Sequence, residues 1–170
     1  MAEEIINKVA QSALTTIDLE AYYPEDKIVP FDLKPFLFME LILKEKEFRA
    51  ALQGTDWSVY RDQVVAVFCS NDAIIPLWAY MLVASYLAPL AKKVIQGDEQ
   101  TAVRELLLNR IREINPEEFR DKRVVIKGCG EKNIGAFAYL EITSLLRPVV
   151  KSIMYGEPCS TVPIYKSKPV

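Results

Sequence analysis

The stretch Arg123–Gly130, RVVIKGCG, decides the fold. Val124, Val125 and Ile126 are β-branched, and such side chains suit a pleated strand. The run is continuous rather than alternating, as expected for a strand covered on both faces in a parallel sheet. It closes at Gly128, and a thiol follows at Cys129. Two other places read the same way. Val64–Phe68 runs into Cys69, with Ser70, Asn71 and Asp72 behind it. Ser152–Tyr155 runs into Gly156-Glu157-Pro158-Cys159-Ser160-Thr161. These hold all 3 cysteines of the chain. In parallel sheets the strand exits share one edge, where ligand sites form, so the three thiols are expected to meet there.

Working outward, the spacing predicts strand and helix in alternation. Asp72 or Asn71 is expected to cap a helix running from there to about Lys92. Val94-Ile95 reads as a brief strand closed by Gly97. Asp98 can cap a helix to Ile114, with Val103, Leu106, Leu107 and Ile111 at helical spacing. Pro116 suits the first position of a further turn. Ile134–Leu146 is the last helix, ended by Pro148, and Val149–Tyr155 the last strand. The tail from Val162 reads as extended. This order predicts an α/β fold with a mostly parallel, doubly wound three-layer sheet. The strands ending at Phe68, near Ile95, at Lys127 and near Tyr155 are expected side by side. No internal repeat is read.

The first sixty residues do not join that alternation. Glu3–Ala13 is expected as a short helix, Thr15–Leu19 as an extended piece and Ile28–Leu33, with Pro30, as an edge strand. Phe36–Leu43 reads as a strand and Lys44–Leu52 as a helix closed by Gly54. The expectation is one α/β domain over 1–170, with 1–60 an N-terminal extension adding edge strands and 61–165 the alternating layer.

Composition narrows the function classes. Half the 170 residues are apolar (51%) and the net charge is −2, with no basic block, so neither nucleic acid nor a membrane surface is expected as partner. The apolar run Ala73–Leu90 resembles a membrane span in length, but its prolines, tyrosines and serine fit a helix packed on a sheet. The acidic start is not expected to act as a signal peptide. An odd cysteine count fits reduced thiols in the cytoplasm.

The chain has no histidine, which removes the commonest metal ligand and any Cys-His dyad. No pair of cysteines is spaced as Cys-x-x-Cys. What is left is a thiolate set, Cys69, Cys129 and Cys159, with Asp72 or Glu157 as fourth ligand. Soft sulfur donors favour zinc, iron or an iron–sulfur species over magnesium or calcium. Ser70, Asn71, Lys127, Gly128, Ser160 and Thr161 are candidate ligand-binding neighbours. No phosphate-binding fingerprint is present, so no nucleotide is expected. Two alternatives stand beside the metal reading. One is a small-molecule module or enzyme using the strand-exit cleft around Cys69 and Asp72; metal-free redox chemistry, with Cys69 activated at a helix N-terminus, is a separate reading of the thiols. The other is a structural or oligomer-forming protein whose cysteines are packing residues.

Several stretches carry a resemblance: Ile5–Ala10, Thr16–Leu19, Leu41–Lys46, Cys69–Ala73, Trp78–Leu82, Arg123–Cys129 and Lys151–Pro163. Together they resemble a bacterial family catalogued as a domain of unknown function, with GEPCSTVP (Gly156–Pro163) as the most specific motif. The resemblance brings no activity. It implies a neighbourhood of sulfur mobilisation and iron–sulfur assembly, and hence iron–sulfur assembly proteins as partners.

Overall fold

A computed structural model describes residues 14–128 and 130–168. The helix expected over Glu3–Ala13 lies outside the described residues. The chain forms two compact units, one of residues 1–24 and 104–170 (unit 1), the other of 25–103 (unit 2).

Unit 2 is continuous in sequence. β2 (Ile28–Asp32), β5 (Val64–Phe68) and β6 (Lys93–Gln96) form a three-stranded sheet in that order, parallel throughout. β5 is central, and its Val64, Val65, Ala66 and Val67 are buried, which is what its uninterrupted apolar run requires. Pro30 sits in β2 at the sheet edge, where a missing N–H is tolerated. Helix α1 (Glu45–Gln53) buries Phe48 and Leu52 and ends at Gly54. Helix α2 (Leu77–Leu87) buries Ala79, Val83 and Leu87. Between β2 and α1 lies a hairpin, β3 (Leu37–Phe38) and β4 (Ile42–Leu43), whose turn residues Met39 and Glu40 both have positive φ.

Unit 1 pairs β1 (Leu14–Asp18), β7 (Arg123–Lys127) and β8 (Ser152–Glu157) in parallel, and β9 (Ser160–Lys166) adds antiparallel to β8. Its core joins Val124, Ile126 and Ile153 to Ala138, Ile142 and Leu146 of α4 (Ala136–Leu146). Leu107 and Ile111 of α3 (Glu99–Arg112) complete it.

The two units repeat one plan, at one constant offset from Phe48 onward and at a different one for the first strand of each unit. The 3₁₀ turn 57–60, β5 and α2 correspond to the 3₁₀ turn 116–119, β7 and α4. Asp56 and Asn115 cap the two 3₁₀ turns with their side chains. Asp62 and Asp121 both have positive φ, 59° and 58°. Their N–H groups bond the carbonyls of Leu90 and Val149, at distances of 3.0 and 2.9 Å. Phe48 and Leu52 answer to Leu107 and Ile111, all buried. Asp18-Leu19 after β1 answers to Asp32-Leu33 after β2. The chain therefore carries an internal repeat, which the sequence reading lacked. β9 is an addition of unit 1.

The α/β class, the parallel pairing and the edge strands supplied by the first sixty residues are as expected. Other expectations are corrected. The four strands expected side by side fall into two hydrogen-bonded sheets, β5 with β6 and β7 with β8. Phe36–Leu43 is a 3₁₀ turn and a short hairpin, because Pro35 and the Met39-Glu40 turn break any longer strand. Helix α2 starts at Leu77 with Pro76 as its N-cap, so neither Asn71 nor Asp72 caps it. The run Ala73–Leu90 thus yields only an 11-residue helix, and among the described residues no helix is long and apolar enough to cross a membrane.

Candidate strand-exit site

In unit 1, β1 and β7 are paired so that Asp18 lies opposite Lys127, each the last residue of its strand. The Lys127 Nζ is 3.2 Å from Asp18 Oδ2 and 3.9 Å from Glu157 Oε1. The hydrogen bond to Asp18, the charge of Asp18 and the charges of Glu157 and Glu20 hold the ammonium above its ordinary pKa. The other Asp18 oxygen accepts the N–H of Glu20 at 3.0 Å, which caps the 3₁₀ turn Leu19–Tyr22. Glu20 in turn accepts the N–H of Gly130. Together Asp18, Glu20, Lys127, Gly128, Gly130 and Glu157 line a cavity of about 160 Å³.

Glycine matters at two of these places. A Cβ on Gly128 would stand 2.8 Å from the Tyr139 hydroxyl and 3.2 Å from the Leu19 Cβ. A Cβ on Gly130 would overlap the Glu20 carboxylate. Both glycines let side chains of other elements reach the strand exit.

Cys129 lies outside the described residues, between the lining residues Gly128 and Gly130 in sequence. Cys159 is exposed, in the two-residue turn between Glu157 and Ser160, which face each other across β8 and β9. Thr161 pairs with Gly156 on the same hairpin. Gly156 has a φ of 114°, a conformation that favours glycine.

In unit 2 the corresponding exit carries different chemistry. Asp32, the counterpart of Asp18, accepts the N–H groups of Lys34 and Ser70, both at 2.9 Å, and the Ser70 hydroxyl. Partial burial opposes its charge, but the bonds from Ser70 and Lys34 with the Lys34 charge outweigh it and hold the carboxyl below its ordinary pKa. Asn71 donates to the Glu40 carbonyl, bracing the β3–β4 hairpin. Asp72 is exposed. Cys69 is half-buried and packs at the border of the unit 2 core. Burial, and then Cys69, push the Tyr80 hydroxyl above its ordinary pKa.

At the offset of the repeat, Cys69 corresponds to Gly128 and not to Cys129, and Phe68 corresponds to Lys127. Cys69 also precedes α2 by a full loop, so the expected activation at a helix N-terminus is not built. Among the described residues, no group of three Cys, Asp or Glu gathers into a metal-holding set. Sequence reading named Lys127, Gly128 and Glu157 but missed Asp18 and Glu20. The signal that finds them is the Asp-Leu pair at the end of a short extended run, present at Asp18-Leu19 and again at Asp32-Leu33.

A family model described as "Protein of unknown function (DUF2480)" matches residues 3–167. The chain belongs to that family. The match spans both units, including the segment of unit 1 that precedes unit 2 in the chain. No curated protein matches the chain, and no solved structure does.

Proposed function

We propose that the strand exit of unit 1 is a ligand site, and that its ligand is a thiophilic divalent cation, zinc or iron. What supports the reading is that Asp18, Glu20 and Glu157 line one cavity with Lys127, although these three carboxylates by themselves do not form a metal-holding set. Three carboxylates against one ammonium leave surplus negative charge, which favours a cation. Unit 2 shows that the fold does not need this charge, since Phe68 and Lys34 stand where unit 1 has Lys127 and Glu20. Two of the three cysteines adjoin the cavity in sequence: Cys129 between Gly128 and Gly130, and Cys159 just beyond Glu157. Thiolate with carboxylate is a donor set for zinc or iron rather than magnesium or calcium. With Asp18 engaged by Lys127 and by the Glu20 N–H, and Glu20 by the Gly130 N–H, Glu157 is the carboxylate proposed to join the thiols, two residues before Cys159 in sequence. The proposal extends to an accessory role in iron–sulfur assembly or metal handling in the cytoplasm.

Metal analysis of protein purified without chelator, followed by titration with Zn²⁺ and Fe²⁺, tests it. Wild type should bind one equivalent, and Cys129→Ser, Cys159→Ser and Glu157→Gln should each weaken binding at least tenfold. A wild type that takes up neither metal overturns the reading. A second reading rests on Lys127, whose ammonium makes the cavity a mixed-charge pocket suited to a small polar molecule. Metal-free protein that is stabilised by such a compound would favour it.

A further inference from the structure

We draw no further inference here: the strongest candidate, the apolar groove of about 520 Å³ in unit 1 between the 136–146 helix and strands β8 and β9, lined by Tyr139, Leu140, Tyr155 and Ile164, carries no proposal because nothing in the structure shows what covers it.

Discussion

Lys127 and Asp18 face each other at the ends of paired parallel strands, 3.2 Å apart between Nζ and Oδ2. Asp18 accepts the Glu20 N–H with its other oxygen, as Asp32 accepts the Lys34 N–H in unit 2. The aspartate is thus part of the fold's common plan, while the lysine is what distinguishes this exit.

The first prediction follows from that pair. Lys127→Met should lower the melting temperature at pH 7 in low salt, because it leaves Asp18, Glu20 and Glu157 without their cation. The loss should shrink in high salt. The ammonium's folded pKa lies above the ordinary 10.5. Its contribution is therefore fully present below about pH 10.4, the unfolded value, and is lost as pH rises through the folded one. Melting curves of both proteins from pH 6 to 11 should run apart up to about pH 10.5 and begin to converge only above it. Coincident curves at neutral pH and low salt would refute the ion pair's contribution.

Asp32 gives the opposite pH dependence. Its folded pKa lies below the ordinary 3.8, so its contribution is present above that value and is lost as pH falls through the folded one. Asp32→Asn keeps the shape and removes the charge. After allowance for solvent screening, it should cost about 1 kcal/mol at pH 7 by denaturant unfolding. The gap to wild type should begin to narrow only below about pH 3.8 and shrink further as pH falls. A gap that does not narrow at all as pH falls from about 5 to about 2 would place the effect in packing rather than in charge.

Gly128 tests the packing behind the site. Gly128→Ala brings a Cβ against the Tyr139 hydroxyl and the Leu19 Cβ, and should destabilise by about 1–3 kcal/mol, the usual cost of overpacking. Against a Tyr139→Phe background the same substitution should cost less, since the closest atom is gone. Equal costs in both backgrounds would show that Leu19, not Tyr139, sets the limit.

The strands were legible because their signal is local. Val64–Phe68 and Arg123–Lys127 are short β-branched runs closed by turn residues, and both are buried central strands. The helices were legible as periodic segments, but the apolar run Ala73–Leu90 hides the ends of α2, which are marked only by Pro76 at its N-cap and Pro89 just past its last turn. The division into two sheets was not legible, since strand neighbours are set by pairing between distant segments: β1 finds β7 and β2 finds β5. The repeat was obscured for a related reason. Its identities are scattered, as Arg61-Asp62 with Arg120-Asp121, Ala79-Tyr80 with Ala138-Tyr139, and Pro89 with Pro148. The cysteines, which drew the eye, are not equivalent positions at all. Half of the candidate cavity was legible, through Lys127, Gly128 and Glu157. Asp18 and Glu20 come from the far end of the chain and reach it only through the β1–β7 pairing.

The last prediction couples the proposed metal to stability. An ion that binds only the folded chain stabilises it by mass action, by about 2.7 kcal/mol when the free ion is at 100 times its Kd. Protein loaded with one equivalent of zinc or iron should therefore melt higher than the same protein after a strong chelator, and re-addition of metal should restore the difference. Thiolate ligands must lose their protons to bind, so the increment should fall as pH drops from 8 to 6. Cys159→Ser should abolish most of it, because Cys159 lies two residues beyond Glu157 in the exposed β8–β9 turn. Loaded and chelated samples that melt together, on protein shown beforehand to carry metal, would separate metal binding from the folding of unit 1.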